Sequence, residues 1–116
     1  MSTEENKAIV RRFIEEFWGQ GKLAVADELA VADYLAHGSD FERTDTLEAA
    51  KQMIAQVYDE HPSCSAYIED IFAEGDKVVA RVAAQGVKEP WTVISIFRLA
   101  DNKIVEEWSL AGKPWD

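Results

Sequence analysis

Three side chains in this sequence, His37, Asp70 and Glu106, carry titratable groups in settings that could tune them. Imidazole titrates near neutral pH, so His37 suits general acid–base work wherever a substrate proton comes within hydrogen-bond reach. It fits equally well as a histidine tied down at the end of a strand. Asp70 sits in an apolar register between Ile68 and Phe72. If that register faces a cavity, desolvation raises the carboxyl pKa and makes a usable base; otherwise Asp70 marks a bulge or an exposed position near a turn. Glu106 shares its predicted strand face with Ser95 and Trp108, and reads either as a base or as the buried partner of an ion pair. Phe13, Phe17, Trp18, Tyr34, Trp91 and Trp108 could line a cavity for a flat or apolar ligand, or could simply be core. Arg98 and Glu107 read as a surface or interface pair. The chemistry open to such a set is proton transfer by side chains alone. His61 and Cys64 are spaced for two metal ligands, but no second pair completes a site, so no metal is expected. The sequence has neither a phosphate-cradling glycine loop nor a nucleophile elbow.

The elements that must position these residues fall into two blocks. Ser2 and Glu5 stand at capping-box spacing, which predicts a helix from about Thr3. Val10, Phe13, Ile14, Phe17 and Trp18 form one apolar helical stripe, which Gly19-Gln20-Gly21 ends. A shorter helix fits Leu23, Ala26 and Leu29, and Asp33 to His37 could form a short strand before Gly38. A third helix carries Leu47, Ala50, Ile54, Val57 and Tyr58, with Asp45 and Glu48 as its predicted caps and His61-Pro62 beyond its end. From Ser63 the period changes to two. Ala66 to Phe72, Val78 to Gln85, Trp91 to Leu99 and Ile104 to Leu110 read as an antiparallel meander, with turns at Glu74-Gly75-Asp76 and Asp101-Asn102. Helices followed by strands predict an α+β fold, with residues 1–116 as one domain. A two-residue turn at Asp101-Asn102 pairs Leu99 with Ile104 and Ser95 with Trp108. One face of that hairpin then holds Val93, Ser95, Phe97, Leu99, Ile104, Glu106, Trp108 and Leu110; the other holds Thr92, Ile94, Ile96, Arg98, Val105, Glu107 and Ser109. Both faces are substantially apolar, so a second covering is expected, most simply another subunit in a symmetric dimer.

Twelve basic residues against twenty-two acidic ones leave a formal charge of -10, with Lys and Arg scattered. That field disfavours nucleic acid and anionic membranes as partners. Apolar residues make up 47% of the chain, enough for a folded core. A lone cysteine, Cys64, excludes an intrachain disulfide, and the first residues lack the pattern of a signal peptide. A cytoplasmic location and no membrane span are expected.

Several stretches resemble the nuclear-transport-factor-2-like superfamily, and within it the SnoaL-like polyketide-cyclase and aldol-condensation group. They are Asn6 to Phe13, Tyr34-Leu35-Ala36-His37, Ile68 to Val79, Ile96-Phe97-Arg98-Leu99 and Asp101 to Trp108. The short Gln85 to Trp91 connection is similar to that of the compact aldol-condensation members. The resemblance implies a cone of three N-terminal helices packed on a curved antiparallel sheet, enclosing a pocket, usually in a dimer. It also implies that His37 stands at the pocket mouth. It does not imply one activity, since the superfamily hosts isomerases, cyclases, hydrolases and binding modules. Relatives often carry Asp, His and Asp where this chain has Ser95, Glu107 and Ser109. The first helix lacks the tyrosine of ketosteroid isomerases, and Arg81-Val82-Ala83 lacks the Arg-x-Asp pair of the epoxide hydrolases. The expectation is a pocket for a small apolar or carbonyl-containing ligand, with cofactor-free acid–base chemistry at His37, Asp70 and Glu106. Ser95 and the aromatic residues would contact the substrate. The alternative is a non-catalytic ligand-binding or dimerisation module of the same fold.

Overall fold

A computed structural model describes residues 2–38 and 43–115. Helix α1 (Thr3–Arg12) opens with the expected capping box: the Ser2 hydroxyl accepts from the Glu5 amide, and the Glu5 carboxylate accepts from the Ser2 amide, both at 3.0 Å. It runs on as a π-helical segment (Phe13–Trp18). Val10, Phe13, Ile14 and Phe17 are wholly buried, as their spacing requires. Helix α2 spans Leu23–Leu29 and α3 spans Leu47–Glu60. The cap of α3 is Thr46, whose hydroxyl accepts from the Ala49 amide at 3.0 Å, in place of the predicted Asp45. Thr46 has the extended backbone an N-cap needs, and its hydroxyl sits within reach of that amide.

The predicted meander forms as β2 (Ser65–Glu74), β3 (Lys77–Gln85), β4 (Trp91–Ala100) and β5 (Lys103–Gly112). The short early strand is longer than expected: β1 covers Ala30–Gly38 and pairs parallel to β5, giving a five-stranded sheet of order β1-β5-β4-β3-β2. Asp101 and Asn102 both have positive φ, 52° and 62°, so the β4–β5 turn is the predicted two-residue hairpin. Bulges interrupt β2, between Ile68 and Asp70, and the β4–β5 pairing, next to Arg98 and Leu99. Bulges bend and twist a sheet, and here they help curl it around the helices.

The second bulge overturns the predicted faces. Leu99 pairs with Ile104 as expected, but Arg98 then pairs with Glu106, so Val105 is the extra residue. Beyond it the register is Phe97 with Glu107, Ile96 with Trp108 and Ser95 with Ser109. Because side chains alternate with period two, one inserted residue exchanges the faces of everything that follows. Glu107 and Ser109 therefore turn inward with Phe97 and Ser95. Glu106, Trp108 and Leu110 turn outward with Arg98, Ile96 and Ile94. The core lies between the inner face and the helices, around Phe13, Phe17, Tyr34, Val78, Phe97 and Leu99.

Candidate functional site

Helix α3 and the π-helical segment stand off the inner sheet face and leave a cavity of about 280 Å³ between them. Its walls are largely apolar: Met53, Ile54 and Val57 from α3 on one side, and Val82, Ala84 and Val93 from the sheet on the other. Phe17, Trp18, Tyr34 and Trp91 line it as expected. Phe13 lies one layer back, with its ring 5.7 Å from that of Tyr34 and 5.9 Å from that of Trp18.

The cavity also holds a carboxyl group. Glu107, read from the sequence as half of a surface or interface pair with Arg98, is 3% exposed and lines the cavity beside Ser109. The Tyr34 hydroxyl donates to its Oε1 and the Ser109 hydroxyl donates to its Oε2. Ser95 Oγ lies 2.7 Å from Ser109 Oγ and 3.4 Å from Glu107 Oε2. Ser95 therefore supports the carboxyl from behind and is not among the cavity's lining residues. Burial pushes the Glu107 pKa above the usual carboxylate range, while the hydroxyls of Ser109, Tyr34 and Ser95 pull against that rise. Tyr34 is pushed up as well, first by its own burial and then by the neighbouring carboxylate, so its phenol stays protonated and remains a donor. A carboxylate can accept about four hydrogen bonds, so those from the hydroxyls leave a lone pair for a ligand proton.

The three residues expected to be catalytic lie elsewhere. Glu106 is on the outer sheet face, where its carboxylate meets His37 Nε2 at 2.8 Å and Arg98 Nη2 at 3.1 Å. Those partners, His37 first, hold its pKa below the ordinary value. His37 stacks on Trp108, with ring centroids 5.6 Å apart and planes at 11°. The structure thus brings His37, Glu106 and Trp108 together, but on the far side of the sheet from the cavity. The parity change at Val105 moves Glu106 and Trp108 there, and the same parity on β1 points Tyr34 and Ala36 inward and His37 outward. Asp70 is also outside, paired with Arg81 Nε at 2.6 Å on β3. The bulge next to it was the open alternative in the sequence.

Glu107, Ser109 and Thr44 are the polar lining residues that the strand pattern did not single out. The signal that could have found the first two was the resemblance, which aligned them with positions where relatives carry acid–base groups. Among the described residues, no group of three or more His, Cys, Asp or Glu side chains is placed to hold a metal ion. No described helix is long and apolar enough to cross a membrane.

The sequence matches the family model for SnoaL-like polyketide cyclases over residues 8–113. A candidate polyketide cyclase from Bacillus cereus ATCC 10987 superposes with a TM-score of 0.83 at 26% identity, covering 96% of this chain and 78% of that one. A candidate SnoaL-like polyketide cyclase from Jannaschia sp. CCS1 gives 0.82 at 20% identity, over 94% of this chain and 86% of its own. A candidate ketosteroid isomerase from Kribbella flavida DSM 17836 gives 0.81 at 13% identity, over 98% and 82%. At such identities the last two speak for the fold alone. No curated protein matches the sequence.

Proposed function

The chain belongs to the SnoaL-like polyketide cyclase family, and from that premise we propose that it binds a small carbonyl compound and moves a proton alpha to the carbonyl, with Glu107 as acid–base group. The observation that carries this reading is a buried carboxyl, the one such group among the described residues of a largely apolar cavity, whose pKa is raised by desolvation. Glu107 takes the proton from the alpha carbon, and the C–H electron pair moves into the enolate. In a β,γ-unsaturated compound the enolate is a dienolate, and the proton returns to its gamma carbon as the double bond shifts, which is an isomerisation. Alternatively the enolate carbon attacks a second carbonyl, a C–C bond forms, and Glu107 gives its proton to the new alkoxide, which is an aldol-type ring closure. Either sequence balances without a cofactor. Tyr34, Ser95 and Ser109 act through Glu107 as positioning residues, and Phe17, Trp18 and Trp91 hold the ligand and exclude water. At about 280 Å³ the cavity suits a ligand at the small end of the usual range.

The test is hydrogen–deuterium exchange at the alpha carbon of acetophenone, followed by NMR. The native protein is expected to accelerate exchange over buffer, and Glu107→Gln to remove about 10²–10⁴-fold of that acceleration while staying folded. Exchange at the native rate in Glu107→Gln overturns the assignment. A second reading, a non-catalytic binding module, is favoured by the way the hydroxyls of Tyr34, Ser95 and Ser109 all converge on Glu107. It predicts binding of acetophenone without accelerated exchange.

The protein is further proposed to be cytoplasmic, in keeping with its lone cysteine, and a homodimer. The outer sheet face leaves Phe72, Ile94, Ile96 and Leu110 exposed, Leu110 at 68%, and a second copy would cover them.

A further inference from the structure

We infer that the cavity rejects anions, so that its ligand carries no carboxylate, phosphate or sulfate group. The inference rests on the reading of the cavity as a site for a carbonyl compound, and it narrows that class by excluding keto acids and phosphorylated ketones. The chain has twelve Lys and Arg side chains and two His, and all of them lie among the described residues. None of them lines the cavity. The residues outside the described set are not basic, so they add no positive side chain to its wall. The basic residues on the elements that form the wall are turned to other partners. Lys51 on α3 pairs with Asp27 at 2.9 Å, and Arg43, next to Thr44, pairs with Asp45 at 3.1 Å. On the outer sheet face, Arg81 of β3 meets Asp70, while Arg98 of β4 and His37 of β1 meet Glu106.

The described wall offers little in place of a counter-ion. The hydroxyls of Tyr34 and Ser109 are committed to Glu107, and the hydroxyl oxygen of Thr44 is buried, out of a ligand's reach. The donors that remain, the indoles of Trp18 and Trp91 and the thiol of Cys64, are uncharged. One neutral hydrogen bond is worth about two- to tenfold in affinity. An anion that leaves water without a counter-charge loses on the order of a hundred- to a thousandfold. The carboxyl on the wall acts in the same direction. Glu107 is enclosed beside Ser109, and a second negative charge near it is either repelled or forces two acidic groups to share one proton. The formal charge of -10 repels anions on approach as well, but salt screens that field and does not supply the missing partner inside.

Calorimetry at neutral pH with meta-nitroacetophenone and meta-acetylbenzoate tests this. The nitro and carboxylate groups are both planar, have the same number of heavy atoms and differ in net charge. The native protein is expected to bind the nitro compound at least about a hundredfold more tightly, and to keep that ratio when salt is raised to about 0.5 M. Met53→Arg places a guanidinium on the wall and is expected to strengthen carboxylate binding about tenfold or more. Val57→Arg does the same from the last turn of α3, and serves where Met53→Arg does not fold. Carboxylate binding as tight as nitro binding in the native protein overturns the inference. A ratio that collapses in salt overturns it too, because the surface field would then be the cause. Binding of neither compound overturns it together with the carbonyl reading. In Glu107→Gln the preference for the nitro compound is expected to persist although exchange is lost, since the wall still lacks a counter-charge. Loss of exchange with the preference intact therefore bears on Glu107 alone, and absence of the preference with exchange intact bears on anion exclusion alone.

Discussion

Replacing Glu107 by Gln should make the protein more stable at neutral pH and above, with a gain that disappears in acid. Glu107 is fully enclosed, and its pKa is raised chiefly by desolvation. The folded state thus holds its proton to higher pH than the unfolded chain does. A carboxyl with a raised folded pKa contributes its full stability below the unfolded value, near 4.5. It loses that contribution as pH rises through the folded value, by at most about 1.4 kcal/mol per pH unit. Below pH 4.5 the protonated glutamic acid and glutamine are near-isosteres, so the two proteins should be about equally stable. Once the pH exceeds the raised folded value, the native protein carries a buried carboxylate. The effective penalty for burying such an ion is several kcal/mol, offset by the hydrogen bonds from Tyr34 and Ser109 at about 1.5–3 kcal/mol each. A residual of about 1–3 kcal/mol in favour of Gln remains, or about 4 °C in Tm for each kcal/mol. Urea denaturation of both proteins from pH 4 to pH 8 measures the difference directly. A difference that is flat across this range, or that favours the native protein more as pH rises, would refute the picture of a desolvated carboxyl titrating inside the fold.

Three other outcomes follow from the same geometry. Tyr34→Phe removes a hydrogen bond that lowers the Glu107 pKa, so the rising limb of the exchange–pH profile should move to higher pH; a move to lower pH would contradict the positioning role. Deleting Val105 removes the extra residue and leaves Ile104 inward, Glu106 outward and Glu107 inward by regular alternation, so the core and the exchange activity should both persist. Denaturation and exchange measured together test this, and loss of exchange in the folded variant would refute the assignment of Val105 as the bulge. Leu110→Glu combined with Ile96→Glu places charge on the outer sheet face, so sedimentation should find the native chain dimeric and the variant monomeric, with exchange unaffected if the cavity is complete within one chain.

The sequence by itself determined what depends on local period and local chemistry. Ser2 and Glu5 cap α1 because their side chains reach amides three residues away. The stripe from Val10 to Phe17 is buried because those positions share one helical face. Asp101 and Asn102 turn the hairpin because both tolerate positive φ. Phe17 and Trp18 were also legible as candidate cavity residues, since their helical spacing does not depend on strand parity; Tyr34 and Trp91, which lie on strands, were named for their size and chemistry. The acid–base group depended on that parity. Glu106 and Glu107 are adjacent, and strand alternation puts one of them on each face, so the choice rests on how many residues separate them from the turn. Val105, with an ordinary strand-forming side chain, carries no sign that it is the residue left unpaired. It becomes the bulge because that register buries Leu99 and Ile104 at one end while Ser95 and Ser109 meet at the other, a condition set by contacts between strands and with the helices. The same holds for Thr44, whose backbone bridge to Ala36 and unpaired hydroxyl exist only once β1, β5 and the chain before α3 lie side by side. Parity within a strand is a local property, but its sign is decided by packing.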